Sequence, residues 1–278
     1  MIAADLTAQL GTGLVAIVVI AAGVFGALIG SFLNVVIWRV PQGMSIVHPP
    51  SACPNCGSRV APYDNVPVIS YLVLRGRCRN CHEPISARYP LIEAATGVVF
   101  ALVTLGAFLN WWPLAVLPAL LYFAAISIAL TMIDLDTHRL PNVIVFPSYF
   151  VVGALLILAS VLTGDYVALL RAAIGGAALF GAYLLLTIAY PGGMGGGDVK
   201  LAGVLGMILG WFGWASLIVG AFAAFLVGGI VGIALMLGRR ASRKSAIPFG
   251  PWMLLGAWIG IAAGESVARW YLNMVGLT

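Results

Sequence analysis

Residues 112–142 read WPLAVLPALLYFAAISIALTMIDLDTHRLPN. From Trp112 to Ile133 there is no charged residue, and the run has the ~20 residues that an α-helix needs to cross a bilayer. Asp134 stands at its end, followed by Asp136, Arg139 and the element Leu140-Pro141-Asn142. This stretch decides the fold: it is a membrane span that ends in a carboxylate. A carboxylate beside hydrocarbon is costly and therefore rare without a function. A second one follows in Met194-Gly195-Gly196-Gly197-Asp198-Val199-Lys200, again at the rim of an apolar segment.

Working outward, the whole chain has the same character. Of 278 residues, 62% are apolar and 8% charged, against roughly 25% charged in soluble domains. Apolar stretches near 13–38, 90–110, 112–133, 143–163, 168–190, 199–212, 214–238 and 248–271 predict an all-α polytopic protein of about eight spans. The sixth is the shortest. Met1 to Leu10 contain no Lys or Arg, so the charged start of a signal peptide is missing and the first run is expected to remain as a span.

The formal net charge is +5. In a membrane protein a positive balance usually reports cytoplasmic loops rather than nucleic acid, so no nucleic-acid partner is expected. Arg39, Arg59, Arg75, Arg77, Arg79, Arg88, Arg139, Lys200, Arg239, Arg240, Arg243 and Lys244 fall on one side of the eight-span arrangement; of the 14 basic residues only Arg171 and Arg269 fall on the other. The positive-inside rule makes the rich side cytoplasmic, and Asp134 and Asp198 both emerge there. Anionic lipid of the bilayer is the expected partner for the basic loops.

The expected division is a first transmembrane segment (1–38), a cytoplasmic loop (39–89) and a membrane-embedded remainder (90–278). The loop holds all four cysteines, as Cys53-Pro54-Asn55-Cys56 and Cys78-Arg79-Asn80-Cys81. Two C-x2-C pairs at this separation are close to a zinc-ribbon pattern. Disulfides are disfavoured in the cytoplasm, and so short a loop cannot bury much of a core, so a metal staple is the expected solution. Four thiolates close the coordination shell of Zn²⁺, making the metal structural. The competing reading is reduced thiols or a redox pair. His82, next to Cys81, is a substitute ligand at best; it and His48 read as loop residues.

The aspartates suit a specific chemistry. Two carboxylates that converge cannot both ionise, so one keeps the proton that the other lacks. The ionised one takes a proton from water, and the protonated one donates to a peptide carbonyl. Residues two apart on a helix point to nearly opposite sides, so only one of Asp134 and Asp136 faces such a site. Asp134 lies nearer the span and is the better candidate. Gly195, Gly196 and Gly197 let a substrate strand approach unhindered backbone. They lack a Gly-Lys-Ser/Thr ending, which argues against phosphate binding.

In these residues the chain resembles the type IV prepilin peptidases, the GxGD family of membrane aspartyl proteases. Gly30-Ser31-Phe32-Leu33-Asn34-Val35-Val36 with Arg39, the double C-x2-C loop, Ser86-Ala87-Arg88-Tyr89-Pro90 with Glu93, the segment from Asp134 to Asn142, Met194 to Lys200, and Pro248-Phe249-Gly250-Pro251 occur in the family's order. The resemblance implies that Asp134 and Asp198 are the catalytic pair. The family sets its first aspartate seven residues before the proline, here Pro141. Asp136 matches a second acidic position. The resemblance also implies an inner-membrane enzyme that cleaves the basic leader of prepilin or pseudopilin precursors after glycine, at the cytoplasmic face. It then methylates the new N-terminus with S-adenosylmethionine. Asn34, Arg39, Arg88 and Glu93 are candidates near that second activity, with interfacial anchoring and helix pairing as the competing account. An ion-coupled transporter with intramembrane carboxylates is the alternative. It would place them at the midplane and show repeated halves, and neither is seen.

Overall fold

The computed structural model describes residues 2–191, 193–238 and 248–276, with backbone alone for 2–10. The basic residues Arg239, Arg240, Arg243 and Lys244 lie outside the described residues. The helices are α1 (Ile2–Arg39), α2 (Ile69–Val73), α3 (Arg88–Phe108), α4 (Leu117–Thr137), α5 (Asn142–Thr163), α6 (Tyr166–Ala189), α7 (Gly196–Phe212), α8 (Trp214–Leu237) and α9 (Gly250–Met274). Among the described residues there is no strand, only isolated bridges at Ala52–Arg59 and Arg77–Pro84. The chain divides into two compact units, Met1–Ala129 and Leu130–Thr278.

All eight apolar stretches are helical. Among the described residues, six helices are long and apolar enough to cross a membrane, ending with Trp214–Leu237. The count of eight is not reached. α7 has 17 residues, and it is buried over most of its length from Asp198 to Trp211. A helix wrapped in protein need not match the bilayer. α9 has the length, but Pro251 near its start and Glu265 and Arg269 in its second half lower its apolarity.

In the first unit α1 packs along α3. A Cβ on Gly30 would lie 2.7 Å from Glu93 Cα, and one on Gly97 would lie 2.9 Å from Gly23 O. In hydrocarbon the hydrophobic effect does not drive helices together, so close van der Waals contact through small residues does.

The second unit uses the same device twice. α6 and α7 touch where a Cβ on Gly175 would stand 2.6 Å from Gly206 O, and α8 and α9 where one on Gly256 would stand 2.6 Å from Ala224 N. α5 leaves the end of α4 and α6 returns, so the last turn of α4 and the first turn of α7 share one end of this unit.

Candidate active site and metal centre

Asp134 lies in the last full turn of α4. Its neighbours Leu130 and Ile133 are wholly buried, and it is itself 4% exposed. Asp136 is exposed, as the ~200° between them on one helix requires. The Asp134 carboxylate is held from a distant part of the chain: Gly250 N donates to Oδ2 at 3.0 Å. Gly250 opens α9, directly after Phe249.

Asp198 is the third residue of α7 and is 9% exposed. It makes a reciprocal cap with Gly195. Asp198 N donates to Gly195 O, and Gly195 N donates to Asp198 Oδ2, both at 3.1 Å. The first turn of a helix also favours a negative charge. Each aspartate therefore has its Oδ2 fixed by a glycine N–H. Among the described residues neither carboxylate has another hydrogen bond. The two lie within electrostatic reach of one another.

Leu140 joins the two halves. A Cβ on Gly197 would meet Leu140 Cβ at 3.0 Å, and a Cβ on Gly250 would meet Leu140 Cδ2 at 3.1 Å. The residue before Pro141 is thus wedged between the glycine preceding Asp198 and the glycine holding Asp134. The start of α5 is tied to α7 as well, with Lys200 Nζ donating to Asn142 Oδ1 at 3.0 Å and Tyr149 Oη donating to Lys200 O at 2.6 Å.

Sequence reasoning missed the roles of Gly250 and Leu140. The available signals were Pro248-Phe249-Gly250-Pro251, a glycine pinned between prolines, and a leucine fixed against Pro141.

In the first unit the four cysteine sulfurs all lie within 4.8 Å of one another. Cys53 and Cys81 Sγ are 3.7 Å apart, and Cys56 and Cys78 Sγ are 4.0 Å apart. A tetrahedral ion with ~2.3 Å Zn–S bonds needs sulfurs separated by about 3.8 Å. The set fits zinc. Each pair sits on a turn of the same design. Cys53 N donates to Ser58 O and Gly57 N to Cys53 O; Cys78 N donates to Glu83 O and His82 N to Cys78 O. Gly57 and His82 take the same left-handed conformation, φ 69° and 58°. His82 therefore fills the glycine position of its turn and is not among the clustered ligands. Hydrogen bonds from Ser58, side chain first, bring the Cys56 thiol down to about 6, and the backbone N–H groups of Cys81 and Asn80 lower Cys78. Those two favour the thiolate that binds metal, whereas Cys81, despite the backbone N–H of Glu83, is pushed up to about 11 by desolvation and by the neighbouring Cys56 and Cys78. Arg79, inside the second pair, is clamped by Asp64, with Nε to Oδ2 at 2.8 Å.

Three of the candidates for the second activity are engaged with main chain. Asn34 Nδ2 donates to Tyr89 O at 3.2 Å, buried Arg39 donates to Ser45 O at 3.0 Å, and Glu93 accepts from Val68 N at 2.7 Å. Val68 has φ 60°, a strained value for a β-branched residue, so Glu93 secures a costly turn.

Two family models match this chain. The bacterial peptidase A24 N-terminal domain matches residues 24–107, which include the four cysteines. The type IV leader peptidase family matches residues 120–233, which include both aspartates. The chain belongs to the type IV leader peptidase family. A prepilin leader peptidase/N-methyltransferase of Aeromonas hydrophila is 37% identical over 90% of this chain and 92% of that protein. Relatives of the same description from Pseudomonas aeruginosa and Bacillus subtilis are 33% and 32% identical, each over 90% of this chain and over 92% and 96% of their own lengths. No solved structure matches. The transporter reading has no support among these relatives. The chain is a multi-pass membrane protein of a peptidase family, and Gly250 lies beyond both family matches.

Proposed function

We propose that this chain is a membrane diaspartyl endopeptidase, with Asp134 and Asp198 as the catalytic pair. It removes the leader of prepilin-like or pseudopilin precursors after glycine, at the cytoplasmic face of the bacterial inner membrane. The observation that carries the proposal is the arrangement of two buried aspartates, each fixed through one oxygen by a glycine N–H, inside the segment matched by the leader peptidase family. The fixed oxygens leave one oxygen of each carboxylate for water and substrate. One aspartate takes a proton from water, whose oxygen attacks the peptide carbonyl carbon. The other gives its proton to the carbonyl oxygen. Collapse of the tetrahedral intermediate breaks the C–N bond, and the leaving amine takes up a proton.

The description of the relatives extends the proposal to methylation of the newly exposed N-terminus. S-adenosylmethionine would supply the methyl group. Cys53, Cys56, Cys78 and Cys81 would hold a structural zinc. The functional divisions proposed are the first span (1–38), the tetracysteine loop (39–89) and the membrane-embedded peptidase part (90–278).

The test is cleavage of a purified precursor with a basic leader, a glycine boundary and an apolar helix, in proteoliposomes. Wild type is expected to release the leader, and Asp134→Asn and Asp198→Asn are each expected to abolish release. Survival of cleavage in Asp198→Asn would overturn the assignment.

A further inference from the structure

The buried stripe of α6 runs through Ala168, Ala172, Gly175, Gly176 and Leu179 to Tyr183. Its register against α7 is fixed by glycine contacts. A Cβ on Gly210 would stand 2.5 Å from Arg171 O, and one on Gly175 would stand 2.6 Å from Gly206 O. The helices are antiparallel, with four residues between successive contacts on each. Eight residues on from Gly175 is Tyr183, and eight residues back from Gly206 is Asp198. The pairing thus brings Tyr183 opposite Asp198.

Tyr183 is 2% exposed. Its ring packs against Phe225 at 5.5 Å and Phe249 at 6.4 Å, and those two lie 5.2 Å apart. Phe249 immediately precedes Gly250, the donor to Asp134. These rings form an apolar wall at the aspartate end of the unit, with one phenol in it. A buried hydroxyl away from water needs a polar partner. Ser148 and Thr96, both buried, solve this by bonding the carbonyl four residues back on their own helices. A phenol is too long for that bond. Tyr149 shows the other solution, reaching across to Lys200 O on α7. For Tyr183 the group within electrostatic reach is Asp198.

We propose that Tyr183 is a positioning residue of the aspartate pair, its hydroxyl fixing the Asp198 carboxylate on the side that Gly195 leaves open. The inference rests on Asp198 being catalytic. Among the described residues no direct hydrogen bond joins the two, so the contact runs through one water, and the hydroxyl supplies a second directed donor beside the Phe225 and Phe249 rings.

The experiment compares Tyr183→Phe, Tyr183→Leu and Asp198→Asn in precursor cleavage and thermal unfolding. Tyr183→Phe keeps the ring and removes only the hydroxyl. It is expected to lower kcat about tenfold or more with KM for the precursor unchanged and the melting temperature within about 2 °C of wild type. Tyr183→Leu is expected to lose activity and also melt earlier, since it removes the ring contacts. Wild-type kcat in Tyr183→Phe, with Asp198→Asn inactive, overturns this inference and leaves the protease reading intact. A loss in Tyr183→Phe that comes with a matching fall in melting temperature also overturns it, because the hydroxyl is then structural. Wild-type cleavage by Asp198→Asn removes the protease reading itself.

Discussion

The N–H of Gly250 donates to Asp134 Oδ2 at 3.0 Å, joining residues 116 positions apart in the chain. It fixes one carboxylate oxygen in place, and the lack of a side chain makes it possible. A Cβ on Gly250 would lie 2.7 Å from that oxygen and 3.1 Å from Leu140 Cδ2. Neither neighbour can retreat freely, because Asp134 is buried and Leu140 is wedged against Gly197. Gly250→Ala is therefore expected to move the carboxylate by a fraction of an ångström or more. Misplacement on that scale costs up to ~10²-fold in rate. Steady-state kinetics of precursor cleavage should show the loss in kcat, with KM little changed. Wild-type kcat would mean that this hydrogen bond does not set the geometry of Asp134.

Asp134 and Asp136 give a sharper contrast. One is 4% exposed and bonded to Gly250; the other faces outward from the same turn. Asp134→Asn is expected to abolish cleavage, since an amide cannot exchange the proton. Asp136→Asn is expected to cleave at close to the wild-type rate, because its side chain lies about 200° around α4 from Asp134. Side-by-side cleavage rates decide the point. If Asp136→Asn were inactive, the catalytic assignment on α4 would have to be reopened.

The tetracysteine cluster predicts about one zinc per chain, the stoichiometry of a closed four-sulfur site. Elemental analysis of the purified protein should find it, and Cys56→Ser should lower the content sharply. Asp64→Asn frees Arg79 and so loosens the second turn without touching a sulfur. It is expected to leave zinc bound but make it easier to remove with a chelator, to a smaller extent than Cys56→Ser. Full zinc content in Cys56→Ser would argue against a four-cysteine site.

How much of this could be read from the sequence follows from the range of each interaction. The long helices, the placing of Asp134 and Asp198 at helix ends and the spacing of the cysteine pairs rest on local patterns: hydropathy over about 20 residues, a charge at the rim, a spacing of two. All were legible. The hydrogen bond from Gly250 was not, because backbone atoms make it across a fold that sequence spacing does not encode. The wedge at Leu140 was hidden for the same reason, since nothing local distinguishes this leucine from others before a proline. The sixth stretch looked like a marginal span. Its 17-residue helix is short because protein, not lipid, surrounds most of it.

The three glycines before Asp198 are equivalent in the sequence and unequal in space. A Cβ on Gly196 would meet nothing within 4 Å; one on Gly197 would meet Leu140 Cβ at 3.0 Å; one on Gly195 would lie 3.4 Å from Asp198 Oδ2. Gly196 also takes an ordinary helical conformation, so alanine there is unstrained and even reduces the freedom of the unfolded chain. Gly196→Ala is expected to fold and cleave like wild type. Gly197→Ala must push against Leu140, which also contacts Gly250, so its strain reaches both aspartates at once. A drop in kcat of roughly tenfold or more is expected for it, with Gly195→Ala between the two. Cleavage kinetics on the three single variants test the order. A severe defect in Gly196→Ala would show that a group absent from the free enzyme, such as the bound precursor strand, occupies the open space beside that glycine.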